Sequence, residues 1–167
     1  MKAEFMMKVC EGNEDIGDIA QFMSGNFVFV AELKDCNLGD FEEGKEYDLD
    51  VTFFGHHLDG IYKTEEEYRK HNGSMAPESC IPCGAFPAGK NDKNWKPSPM
   101  NIINSRVKER VYPRDLGWED ANYLLFYGEI FGVQIDQVYR YDNEEDIPPL
   151  ANGDIVSGLY WAEVKLL

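Results

Sequence analysis

Tyr47, Leu49, Val51 and Phe53 alternate with Asp48, Asp50 and Thr52. Side chains two apart lie on the same side of an extended strand, so this stretch has one apolar and one polar face. Such a segment rests one face on a core and turns the other to water. Period-two spacing returns at residues 101–112. There Ile103, Ser105, Val107, Glu109 and Val111 share one side, and Arg106, Lys108, Arg110 and Tyr112 the other. It returns again at 155–167, with Val156, Tyr160, Ala162, Val164 and Leu166 toward the core. Residues 27–33 are apolar on both sides at first, as in a central strand. Residues 124–136 predict one more strand, extended by 137–141, with Gly128 and Gly132 as bulges or tight bends.

Helical signals are few. Ile16, Ile19, Ala20 and Met23 have helical spacing behind Asn13 as a cap, which predicts a helix over 13–23. Asp59-Gly60 reads as a hairpin turn that returns a short strand at 61–63. Thr64 and Glu67 form a capping box for a short helix stopped by Asn72-Gly73. Only Tyr68 in that helix is apolar, so it is expected on the surface. Residues 73–99 hold Pro77, Pro82, Pro87, Pro97 and Pro99 with Gly84 and Gly89, which predicts a long loop.

These elements predict a mainly β, single-domain fold over residues 1–167, with one or two short helices. Its strands are joined by hairpins rather than βαβ crossovers. A closed barrel of five or six strands satisfies such an order without open edges. The order of elements over residues 27–136 resembles an OB-fold, a Greek-key barrel in which strands two and three form a hairpin and a helix precedes strand four. The corresponding segments are 47–54 with 61–63, and the helix after Thr64. A β-sandwich or another α+β arrangement is the alternative.

The net charge of −15 is uneven. Residues 1–70 and 115–167 are acidic, whereas 90–114 carry seven bases against two acids. An acidic field favours basic protein partners and opposes anionic membranes and nucleic acid. The N-terminus, Met1-Lys2-Ala3-Glu4-Phe5, has no apolar signal-peptide core, so a cytoplasmic location with free thiols is expected. No apolar run reaches membrane-spanning length.

Three readings of function follow. The first is a non-catalytic binding domain whose acidic surface meets a basic protein. The second is a small-molecule or zinc site in the barrel mouth under loop 73–99. Cys80 and Cys83 have the C-x-x-C spacing that lets two thiolates converge on one metal. His56, His57 and His71 are the histidines available. Because neighbours in a strand face opposite ways, only one of His56 and His57 can join, which makes His57, His71, Cys80 and Cys83 the candidate zinc set. The bland alternative is two small residues in a proline-bounded turn. The third reading is single-stranded oligonucleotide binding through the basic segment, which includes Lys90, Lys93, Lys96 and Arg114. Trp95, Arg106, Lys108, Arg110 and Tyr112 are its candidate ligands, because bases beside aromatics suit stacking on unpaired nucleotides. The competing expectation is that these cations pair internally, for instance with Asp48 and Asp50. Trp95 and Trp118 lie in loop-like sequence, where an exposed aromatic would mark a binding surface.

Overall fold

The alternation that begins at Tyr47 does not stop at Asp59-Gly60. In the computed structural model, which describes residues 1–87 and 94–167, the chain runs from Glu46 to Tyr62 as one strand. Gly60 serves a register shift between Leu58 and Gly60 rather than a turn, and a second shift lies between Gly55 and His57. The described residues form β1 (Lys2–Cys10), β2 (Ile19–Ser24), β3 (Phe27–Leu33), β4 (Glu46–Tyr62) and α1 (Glu65–Asn72). They continue with β5 (Ser79–Ile81), β6 (Met100–Val111), β7 (Tyr123–Ile130), β8 (Val133–Arg140) and β9 (Ile155–Leu166). The protein is mainly β. No helix among the described residues is long and apolar enough to cross a membrane.

The nine strands of the described residues belong to one sheet of order β1-β2-β3-β9-β4-β8-β7-β6-β5, with further pairings β1–β4 and β9–β6. The pairings therefore run in two circuits. One passes β1–β2–β3–β9–β4 and back to β1; the other passes β4–β8–β7–β6–β9 and back to β4. They share the long antiparallel β4–β9 ladder, from Leu49↔Leu166 to Tyr62↔Ile155. Two contacts are parallel: β3 with β9 at Glu32↔Glu163, and β4 with β8 at Thr52↔Asp136.

The expected helix at 13–23 is replaced by a single turn and a strand. The Asn13 side chain accepts from the Asp15 and Ile16 amides as a cap would, but Gly17 then donates to the Glu32 carboxylate and the chain extends into β2. Ile19, Ala20, Gln21 and Phe22 are all buried, so this strand is covered on both faces. Apolar residues on both faces of a strand imitate helical spacing. Gly132 makes a turn rather than a bend within one strand. Phe131 and Gly132 both have positive φ, 49° and 84°, between Ile130 and Val133, the form of a two-residue hairpin. Segment 73–99 contains β5, so Cys80 stands in a strand. Lys90 and Lys93, like Gly89, lie outside the described residues.

Helix α1 forms as its capping residues require. Thr64 Oγ1 accepts from the Glu67 amide at 3.1 Å, and Glu67 reaches back to the Lys63 amide at 2.7 Å. Tyr68 is fully buried against Tyr62, so the helix is pinned by one side chain. Replacing Thr64 by alanine is expected to cost about 1 kcal/mol, measured as a shift in urea midpoint.

One apolar cluster runs through both circuits, from Phe5, Phe22, Phe29 and Phe53 to Leu124, Phe126, Tyr139 and Tyr160. Two devices hold it together. The buried Asn101 carboxamide on β6 accepts from the Val30 amide at 2.9 Å and donates to the Val30 carbonyl at 2.8 Å. It thus does for β3 what a neighbouring strand would do, between strands that are not ladder partners. In the second circuit the Tyr139 ring lies over Gly55 and its hydroxyl over Gly158. A methyl at Gly55 would sit 2.0 Å from the ring, and one at Gly158 2.2 Å from the oxygen.

Candidate functional site

The outer face of the second circuit is where the alternation departs from a polar pattern. On β4, Leu49, Val51 and Phe53 face the core, which turns Thr52 and Phe54 outward. On β8, Ile135 and Tyr139 face inward, which turns Asp136 and Val138 outward. On β7, Leu124 and Phe126 face inward, which turns Leu125 and Tyr127 outward. Register lines these residues into two rows across the sheet. Thr52 pairs with Asp136, Asp136 with Tyr127 and Tyr127 with Glu109. Phe54 pairs with Val138, Val138 with Leu125 and Leu125 with Val111. A polar row thus adjoins an apolar one.

The connection from β6 to β7 folds over this face. Pro113 starts a single 3₁₀ turn to Leu116, and Gly117 ends it at φ 74°. Leu116 and Trp118 then overhang the apolar row. Trp118 meets Tyr123 edge to face, with ring centroids 5.4 Å apart and planes at 84°. The space enclosed is about 400 Å³, lined by Phe54, Leu116, Trp118, Tyr123, Tyr127 and Asp136 among others. Phe54, Leu116 and Trp118 remain 39–51% exposed, although each is large and apolar. A second cleft of about 390 Å³ adjoins it through Tyr123 and is lined by Arg110, Tyr112, Arg114 and Glu144. There the Arg110 guanidinium lies 4.7 Å above the Tyr112 ring, and Arg114 meets Glu144 at 3.6 Å.

Asp136 stands at the floor of the first space. Burial pushes its carboxyl up from the usual carboxylate range, the Asp50 charge adds to this, and the N-terminal ammonium opposes it. That ammonium donates to the Leu49 carbonyl. No cation among the described residues forms an ion pair with Asp136.

The candidate residues named from sequence separate. Arg110 and Tyr112 come together at the adjoining cleft. Arg106, midway along β6, meets Glu65 at 2.7 Å and Glu78 at 3.4 Å. Lys108 pairs with Glu129 at 2.9 Å. The acids that meet these cations are therefore not Asp48 and Asp50, which stand on β4 beside β1 and β9. Trp95 is half-buried ahead of β6 and lines neither space.

The cysteine and histidine set does not gather. Cys80 Sγ lies 3.8 Å from Asn101 Oδ1, and Cys83 Sγ lies 3.4 Å from the Met100 carbonyl. Burial raises both thiols. His57 is exposed beside Asp59, and His71 rests near the Tyr62 ring. Among the described residues, no three His, Cys, Asp or Glu side chains stand together as a metal site.

Phe54, Tyr127, Val138 and Asp136 are not among the candidates that the sequence offers. A signal was present for the first three: each puts a bulky side chain on a face that the period assigns to solvent. Asp136 had none, because its setting depends on strands β4 and β7, far away in the chain. No family model, curated protein or solved structure matches this chain.

Proposed function

We propose that this chain is a non-catalytic binding domain that docks a basic segment of a protein partner on the outer face of β4, β8 and β7. In this reading the circuit β1–β2–β3–β9–β4 is an OB-like barrel, built from other strands than the 27–136 order expected from sequence, whose 47–54/61–63 hairpin is a single strand. The strand order of this circuit and its parallel β3–β9 contact support that. The β5–β8 region is then an elaboration between its last two strands.

One observation carries the functional reading: an aromatic space with a half-buried carboxylate at its floor that no cation among the described residues pairs with, on a chain of net charge −15. Exposed Trp and Tyr around a concave surface are the usual anchors of recognition. The acidic field would draw a cationic partner and set its orientation. The lining residues supply one carboxylate, a threonine, a glutamine and phenols, with no histidine, cysteine or lysine beside them. Such a set favours holding a group over relaying a proton.

The oligonucleotide reading draws less support, since Arg106 and Lys108 are engaged by carboxylates.

Synthetic peptides that alternate Lys or Arg with Leu test the proposal by calorimetric titration. Affinity is expected to fall about tenfold or more between 50 and 300 mM salt, because the attraction is screened, and to be lost in Trp118→Ala. Binding indifferent to salt, or unchanged in Trp118→Ala, would overturn it.

A further inference from the structure

We infer that the space between Trp118 and the sheet is a receptor for a single cationic side chain of the partner, a lysine or arginine inserted head-first toward Asp136. This rests on the docking face proposed above and specifies what enters it.

The charge comes first. A half-buried carboxylate without a cation is an unfavourable arrangement, relieved by protonation, by hydrogen-bond donors or by a positive group brought to it. The charged and titratable groups around it come from every neighbouring strand. Asp50 stands on β4 with Lys165 of β9 opposite it, Glu109 on β6, and Tyr127 and Glu129 on β7, Glu129 being held by Lys108, while the N-terminal ammonium leads into β1. Three of these are acids and one is a phenol. The described cations among them are engaged elsewhere: the ammonium bonds the Leu49 carbonyl, Lys108 pairs with Glu129 and Lys165 with Asp35. The floor is therefore short of positive charge.

The walls come second. Trp118 and Tyr123 stand perpendicular to each other, and Tyr127 and Phe54 line the same space. An ammonium or guanidinium is attracted to aromatic faces, the more so once desolvated. Below the overhang, Leu116, Leu125 and Val138 offer an apolar path of the kind the methylene stem of lysine or arginine covers. An apolar anchor alone would use these walls and leave the carboxylate unanswered; a cation with an aliphatic stem uses both.

The test uses the whole chain and a minimal probe. n-Butylammonium is titrated while the Trp118 indole resonance is followed, with 1-butanol as the neutral control. Saturable binding of the ammonium is expected, at least tenfold tighter than the alcohol, and at least tenfold weaker in Asp136→Asn. It should also fade as pH falls through the raised range of the Asp136 carboxyl in the native protein, and stay flat over that range in the variant.

Folding is controlled independently. The raised carboxyl means that its ionised form costs stability at neutral pH, a cost that vanishes as acid protonates it. Asp136→Asn should therefore unfold at an equal or higher temperature while it binds the probe less well. Butanol binding as tightly as the ammonium, or an Asp136→Asn variant with undiminished ammonium affinity, would overturn the inference. Failure of the docking face itself reads differently: basic peptides would then be unaffected by Trp118→Ala. Peptides lost in Trp118→Ala but retained in full by Asp136→Asn would remove the cation receptor alone.

Discussion

Replacing Asn101 by leucine should lower the unfolding free energy by about 2–6 kcal/mol, since two buried backbone groups are each left without a partner. The expectation follows from where Asn101 sits. It is fully buried, and its carboxamide serves the Val30 amide and carbonyl together, with a further 3.2 Å bond to the Pro99 carbonyl. Leucine keeps the branching of asparagine but carries bulkier methyls and no polar atoms, so Val30 loses both partners and any overpacking adds to the loss. Aspartate would be no better, because it could accept from the amide but, when ionised, has no hydrogen to offer the carbonyl. Urea unfolding checks this as a fall in midpoint at unchanged slope. The neighbouring Asn104 gives the contrast. Its oxygen is already unpartnered and its amide nitrogen bonds only Ser79 Oγ. Its replacement by leucine should cost less, and equal losses at the two sites would contradict the bridging role.

Gly55→Ala is the second large effect. An added methyl would stand 2.0 Å from the Tyr139 ring, well inside any tolerated contact. The ring cannot withdraw freely, because Tyr160 packs against it with centroids 5.1 Å apart and its hydroxyl lies over Gly158. Overpacking of this kind typically costs about 1–3 kcal/mol, and this site belongs at or above the upper end. Alanine's lower chain entropy in the unfolded state offsets only about 0.5–1 kcal/mol of that. The double variant Gly55→Ala/Tyr139→Ala provides the check. If the clash is the cause, the two losses combine to less than their sum, because removing the ring removes the conflict. Simple additivity in thermal or urea unfolding would mean that the glycine serves something else.

The strands legible in the sequence were those with one wet face. Residues 47–54 alternate because Asp48 and Asp50 meet solvent while Leu49 and Val51 are buried. The final strand was legible from Val156, Tyr160, Ala162 and Val164, all of which are buried. Alternation failed where both faces are covered, as at β2, and where register slips. β1 escaped notice because irregularities between Phe5 and Met7 and between Lys8 and Cys10 break its period after two repeats. Gly60 misled because a glycine that eases a bulge and one that closes a turn look alike locally. At the site, Trp118 was legible as an aromatic in loop-like sequence, and Arg110 with Tyr112 as bases beside aromatics. The aromatic wall and its carboxylate were not, since they assemble only when β4, β8 and β7 take their places side by side.

The ladder common to both circuits has a consequence for synthesis. β4 is made early, but the partner that completes either ring is β9, which follows it by much of the chain's length. At ordinary elongation rates of about 5–20 residues per second, β4 leaves the ribosome roughly 5–20 s before β9 does. Through that interval β4 keeps an open edge, with Leu49, Val51 and Phe53 still seeking cover. A stop codon placed before residue 155 should therefore yield neither half as a folded fragment, but a nascent product that is held by chaperones or aggregates. Supplying β9 as a separate peptide would be the direct way to rescue it.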